Sequence, residues 1–179
     1  MNDSPEKEAM DQVLRLMSLS ARTSPKTAGI DDIVLKVVVG EEKGRIVEEM
    51  HKLAQERGIA NFNRDARSIE RSHGILLIGI RKDAGTINLK CGACGFDCDE
   101  LKYHKKQGLD YYGPNCVYKL LDLGIALGSA AKTAGILNAD SRIMYRAATA
   151  AIRIGIMTDV SVSLAIPISG TGKNVFFDR

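Results

Sequence analysis

The chain has 179 residues, a length typical of one domain, and an ordinary apolar content of 45%. Its 25 basic and 22 acidic residues are interleaved and leave a net charge of +3, so no nucleic-acid surface is predicted. Aromatic residues make up only 5% and tryptophan is absent, which argues against base stacking. Apolar stretches are too short for a membrane span and the start is polar and acidic, unlike a signal peptide. We therefore expect a cytoplasmic protein that binds neither membrane nor nucleic acid.

The first half of the chain alternates helical and strand patterns, with apolar residues at helical spacing near the start and β-branched runs later. The predicted elements are a helix over 6–19, a polar loop over 22–29, a strand over 33–39, a helix over 41–57, a short helix over 63–72 and a strand over 74–80.

The second half contains a cysteine-rich segment followed by helical and strand patterns. Asp140 or Ser141 is the predicted N-cap of the second helix, and Pro167 closes the last strand. The predicted elements are a cysteine insert over 86–117, a helix over 116–134, a helix over 140–154 and a strand over 160–168. We expect a single domain over 1–179 that carries the insert within it.

All four cysteines of the chain lie in one short window, as C-G-A-C-G-F-D-C and, further on, P-N-C. Thiolates are soft ligands that select iron–sulfur clusters or zinc. In a reducing cytoplasm, four clustered cysteines indicate a metal site more than two disulfides. The predicted ligands are Cys91, Cys94, Cys98 and Cys116.

The spacing favours a [4Fe–4S] cluster, with zinc as the alternative. Zinc sites usually pair two C-x2-C knuckles, whereas here three clustered cysteines precede a remote one. The pattern also resembles the short four-cysteine iron–sulfur domain of electron-transfer flavoprotein complexes and corrinoid iron–sulfur proteins. In this chain the third cysteine comes one residue earlier than in that domain.

Three sequence segments resemble those of a prokaryotic family of uncharacterised proteins described as containing a ferredoxin domain. They are S-A-R-T-S-P-K at 20–26, D-L-G-I-A-L-G-S-A at 122–130 and I-P-I-S-G-T-G-K at 166–173, followed by a terminal F-F-D-R. The resemblance extends over nearly the whole chain and implies no particular activity.

A more distant resemblance is to the flavin-dependent nitroreductases. The loop S-P-K-T-A-G at 24–29, placed between a helix and a strand, and A-L-G-S-A-A at 126–131 both have counterparts in that family. The resemblance implies an α+β fold with a central sheet flanked by helices, a homodimer, and FMN at the dimer interface. The paired arginines that hold the FMN phosphate in that family and its loop asparagine are absent here.

The candidate cofactor-binding residues lie in the polar loop, on one helix and in the C-terminal tail. A loop with a guanidinium, an ammonium and two hydroxyls can bind phosphate, but it can equally be an ordinary capped loop. Two glycines four residues apart leave a bare helix face for a cofactor or for another helix. The candidates are Arg22, Ser24, Lys26, Thr27, Gly124, Gly128 and Lys173.

The tail carries two adjacent phenylalanines, Phe176 and Phe177, which are costly to leave in water. We expect the tail to dock on a partner subunit or, alternatively, on its own subunit. Gly172–Lys173 resembles the end of a phosphate loop, but Pro167 and Asn174 exclude that motif.

These features predict a redox protein that transfers single electrons through a [4Fe–4S] cluster, coupled to a flavin and to a redox partner protein. The alternative is a non-enzymatic binding or sensor protein stabilised by zinc or by a cluster. No catalytic acid, base or nucleophile is identified, although Asp122 and Tyr145 have suitable side chains.

Overall fold

The structure is a computed structural model that describes residues 4–177. A four-stranded antiparallel sheet with strand order β1-β2-β6-β5 forms its centre, and a two-stranded hairpin, β3-β4, lies in the cysteine insert. The strands are β1 (Ile33–Val38), β2 (Gly74–Arg81), β3 (Lys106–Gln107), β4 (Tyr112–Gly113), β5 (Asp140–Ser141) and β6 (Val160–Ser169). The helices are α1 (Pro5–Thr23), α2 (Gly40–Arg57), α3 (Asn61–Glu70), α4 (Leu101–His104), α5 (Val117–Ile136) and α6 (Tyr145–Arg153).

Helices cover both faces of the sheet, and each face has its own apolar core. In β2, Ile75 and Leu77 pack with α2, α3 and α6, whereas Leu76, Ile78 and Ile80 pack with α1 and α5. This division follows from the two-residue period of a strand. All of β2 except Arg81 is buried, as the uninterrupted apolar run predicts.

Two predicted boundaries are wrong because local sequence does not reveal strand pairing. Residues 140–144 do not begin a helix: Asp140 and Ser141 form β5 against the end of β6, and Met144 bridges to Ala165. Helix α6 therefore begins at Tyr145, and neither Asp140 nor Ser141 is its N-cap. Strand β6 continues past Pro167 to Ser169.

In a single chain, the described part of the C-terminal tail packs on its own subunit, which is one of the two placements expected from the sequence. The side chain of Phe176 is 3% exposed and belongs to the core beneath α2, α3 and α6. Its carbonyl accepts a hydrogen bond from Arg142, and Asn174 donates to Asp140 at 2.8 Å. Asp178 and Arg179 of the predicted docking segment lie outside the described residues.

None of the helices between residues 4 and 177 combines the length and the apolar character needed to cross a membrane.

Candidate metal and cofactor site

The cysteine motif is built from tight turns between β2 and α4. Gly92 and Gly95 adopt positive φ angles of 67° and 84°, and the amide of Gly95 donates to the carbonyl of Gly92 at 2.9 Å. Such φ angles are strained for residues with a side chain, so the glycine after each of the first two cysteines reverses the chain. The carbonyl of Asp97 then accepts the amides of Glu100 and Leu101, where α4 begins.

The four predicted ligands are free thiols with graded exposure. Cys91 is exposed, Cys94 and Cys98 are half-buried, and Cys116 is buried. Cys94 and Cys116 share one small apolar cluster with Leu101. Cys98 lines a neighbouring cavity of about 270 Å³, to which Leu101 also contributes. Across residues 4–177, no three His, Cys, Asp or Glu side chains are arranged as a finished metal site.

The insert nevertheless fits a soft metal group in its donor chemistry and in its packing. Four free thiols are the donor set of iron–sulfur clusters and of structural zinc. Only three side chains of segment 86–117 are buried, namely Ile87, Leu101 and Cys116. So few buried side chains cannot by themselves keep a segment of this length folded. Small domains of this kind rely on metals or disulfides for their stability.

Polar contacts of Asp110 and Tyr111 attach the insert to the body of the protein. Arg57 of α2 binds Asp110 through two hydrogen bonds of 3.0 and 2.6 Å, and the hydroxyl of Tyr145 donates to the same carboxylate. Burial opposes ionisation of Asp110, but the bonds from Arg57 and Tyr145 hold its pKa below the ordinary value. The hydroxyl of Tyr111 donates to the carbonyl of Ser163 in β6, and burial raises the pKa of Tyr111.

A buried ion pair attaches the helix that carries Cys116 to the sheet. Cys116 is the N-cap residue of α5, and Lys119 follows one turn later. The ammonium of Lys119 lies 2.5 Å from Asp32 Oδ2 and donates to the carbonyl of Ile30 at 3.1 Å. Arg81, at the end of β2, binds the other oxygen of Asp32 at 2.6 Å.

The polar loop predicted to bind phosphate makes mainly internal contacts in a single chain. Arg22 pairs with Asp31 at 2.6 Å and donates to the carbonyl of Ile33. Lys26 donates to the carbonyls of Ala21 and Arg22, and Ser24 also donates to that of Ala21. Burial, together with the nearby guanidinium of Arg22, lowers the pKa of Lys26 against the attraction of Asp31 and Asp122.

The loop contacts α5 through Thr27. The amide and hydroxyl of Thr27 both donate to Asp122 Oδ1, at 2.9 and 2.8 Å, two residues before Gly124. The second oxygen of Asp122 is buried without a hydrogen-bond partner. Gly124 and Gly128 face solvent on α5, with open space where side chains would stand. The loop therefore packs on α5 at Asp122, whereas Gly124 lies about 200° further around the helix, on its exposed side.

Lys173 lies far from this loop within one chain. Gly170 packs against Met10 near the start of α1, and Thr171 binds the carbonyl of Lys173. The loop follows the other end of α1 at Thr23, which is about 20 Å along the helix from Met10. One subunit thus does not bring Lys173 to the other candidate cofactor-binding residues.

The comparisons with known proteins identify the fold. A protein of Desulfovibrio desulfuricans assigned as a nitroreductase, in complex with FMN, gives a TM-score of 0.60 at 12% identity and covers 99% of this chain and 92% of that one. The FMN-dependent nitroreductase NfnB of Mycobacterium smegmatis, in complex with NADPH, gives a TM-score of 0.59 at 11% identity, covering 93% and 81%. The chain is an α+β protein with a nitroreductase-like fold.

Sequence comparison identifies the family. An uncharacterised protein of Archaeoglobus fulgidus is 46% identical over 165 residues, which are 92% of this chain and 88% of the relative. The model of the family described as "uncharacterized protein containing a ferredoxin domain" (DUF2148) matches residues 112–179. The chain belongs to this family. Of the four cysteines, the match includes Cys116.

Proposed function

We propose that this chain is an iron–sulfur redox protein in which Cys91, Cys94, Cys98 and Cys116 hold a [4Fe–4S] cluster within the insert 86–117. The observation that carries the proposal is a set of four free thiols on a segment with almost no apolar core of its own. The family's description and the nitroreductase-like fold support a redox role.

A bound [4Fe–4S] cluster would accept and donate single electrons. In this chain, Ile87, Leu101 and Phe96 exclude water around Cys94 and Cys116. Cys91 is exposed, so a redox partner protein can approach from its side. Reduced thiols also require a reducing compartment, and we therefore place the protein in the cytoplasm.

Anaerobic purification and an absorption spectrum test this function. We expect brown protein with a broad band near roughly 400 nm that dithionite bleaches, as thiolate–iron charge transfer requires. Colourless protein that binds zinc would instead favour the alternative, a zinc-stabilised binding or sensor protein. A spectrum without the band in fully reduced, metal-reconstituted protein would contradict the cluster.

We further propose that FMN binds where the polar loop meets α5, with its phosphate at Arg22, Ser24, Lys26 and Thr27 and its ring over Gly124 and Gly128. Lys173 would reach the phosphate only from a second copy of the chain. The support is the contact of the loop with α5 through Thr27 and Asp122, and the open space at Gly124 and Gly128 on the same helix, in a fold whose solved examples include FMN complexes.

Apo-protein should quench FMN fluorescence on titration. Arg22→Ala with Lys26→Ala should weaken binding at least about 100-fold, since the double change removes two charge-assisted hydrogen bonds of about 1.5–3 kcal/mol each. Arg45→Ala, an exposed change on α2, is the matched control and should bind like wild type. Absence of quenching at high micromolar protein would contradict FMN binding and would not affect the assignment of the fold.

We also propose that the chain forms a homodimer through α1 and α5. Helices α1 and α5 pack together and expose apolar side chains, including Leu19 on α1 and Leu121, Ile125 and Ile136 on α5. The second copy would contact these side chains around the open space at Gly124 and Gly128, which the flavin ring would occupy. An apolar face of this kind is typical of a subunit interface.

Light scattering should give twice the mass of one chain, and Ile125→Lys should produce monomers because it buries a charge in the interface. Leu109→Lys is the control: Leu109 lies on the insert, is 84% exposed, and its replacement should leave the dimer intact. A wild-type monomer at high micromolar concentration would overturn this interface.

A further inference from the structure

Lys105 is placed beside two of the predicted cysteine ligands. It directly follows α4, its side chain is half-buried, and its ammonium donates to the carbonyl of Ala84 at 2.7 Å. Lys105 and Cys98 line the same cavity of about 270 Å³. Cys116 is among the groups that interact electrostatically with the ammonium.

This ammonium lacks a carboxylate of its own. Between residues 4 and 177, no Asp or Glu oxygen lies within 4 Å of the Lys105 nitrogen. Asp32 is already bound by Lys119 and Arg81, and Asp83 is exposed and lies nearer to Arg81. Burial lowers the pKa of Lys105, opposed by Asp83, Asp32 and Cys116. A cation withdrawn from water needs a counter-charge. The exposed carboxylates of Asp83 and Asp99 line the same cavity without forming an ion pair with Lys105, and the thiol on this cavity is that of Cys98.

We propose that Lys105 is the counter-charge of the metal group and sets its reduction potential. This inference rests on the proposed cluster. Four thiolates give the cluster a net negative charge, and one-electron reduction by an external reductant adds one more without breaking a bond. A neighbouring ammonium therefore stabilises the reduced form more than the oxidised form. Lys105 acts on the cluster through its positive charge and does not bind the metal.

Lys105→Gln removes the charge while keeping an N–H donor for the Ala84 carbonyl. Iron and sulfide are quantified first in each anaerobically purified variant, and the midpoint potential is then measured by dithionite titration with mediators. At the wild-type midpoint, the ratio of reduced to oxidised cluster should fall about tenfold in Lys105→Gln, a shift of about 59 mV to more negative potential. Lys105→Arg should restore the wild-type potential.

Lys106→Gln is the matched control, because Lys106 is the next residue and is exposed on β3. It should leave the potential unchanged. A fully loaded Lys105→Gln variant with the wild-type potential, or an equal shift in Lys106→Gln, would overturn the role of Lys105. Wild-type protein without iron and sulfide would refute the proposed cluster itself, and that failure is visible before any potential is measured.

Discussion

Replacing Cys116 by serine is expected to abolish cluster binding while leaving helix α5 intact. A hydroxyl is a hard, weak ligand for iron, so the four-thiolate set would lose one member. The same hydroxyl is a good N-cap, and Cys116 occupies the N-cap position of α5 without making a side-chain capping bond. The substitution should thus improve the local helix start and damage the metal site. We expect loss of nearly all iron and sulfide, with unchanged helical circular dichroism.

Ala93→Ser is the matched control, since Ala93 lies exposed between Cys91 and Cys94 and receives the same hydroxyl. It should retain full iron and sulfide. Serine at Cys91, Cys94 or Cys98 should behave like serine at Cys116. Wild-type iron and sulfide in all four cysteine variants would show that these residues are not the ligands.

The second large effect concerns the buried pair of Lys119 and Asp32. The side chains of Lys119 and Asp32 are 3% and 5% exposed, so removing Lys119 leaves the buried carboxylate with Arg81, which is 54% exposed, as its remaining ion-pair partner. Lys119→Met should lower the free energy of unfolding by up to about 3–5 kcal/mol, the cost of breaking a buried ion pair. The network also holds the pKa of Asp32 below its ordinary value, despite burial. Its stabilisation is therefore fully present above the pKa of an unfolded aspartate, about 3.9, and is lost as the pH falls through the lower folded-state pKa.

Urea unfolding followed by circular dichroism, at equal iron content, measures this effect. Lys36→Met is the control, because the pair of Lys36 with Glu42 is solvent-exposed and should contribute about 0–1 kcal/mol. Adding Asp32→Asn to Lys119→Met should cost less than the sum of the two single changes, since both changes break the same ion pair. A Lys119→Met variant as stable as Lys36→Met would contradict a structural role for the pair.

Much of the fold is visible in the sequence because its elements have strong local patterns. The apolar run of β2 and the glycine at position 58, which takes a left-handed conformation at the end of α2, are examples. The strand at Asp140 and Ser141 has no such pattern, because its pairing with β6 depends on residues almost 30 positions away. Local propensity could not reveal that contact.

In the candidate site, too, local features can be predicted from the sequence and long-range contacts cannot. The cysteine spacing is a local motif, so the candidate ligands can be named from the sequence. The residues that position the site are joined only by the fold: Arg57 meets Asp110, and Asp32 meets Lys119, across long stretches of chain. Of these four residues, Lys119 could have been noticed in the sequence. It is a lysine in the first, largely apolar turns of α5, where a charged side chain is buried only if it is paired.

The most direct test of the proposed function is the metal and sulfide content of anaerobically purified wild-type protein. A [4Fe–4S] cluster on Cys91, Cys94, Cys98 and Cys116 predicts about four iron and about four acid-labile sulfide per chain, without stoichiometric zinc. One zinc per chain without sulfide, or a metal-free protein that takes up neither iron nor sulfide on reconstitution, would contradict the iron–sulfur assignment.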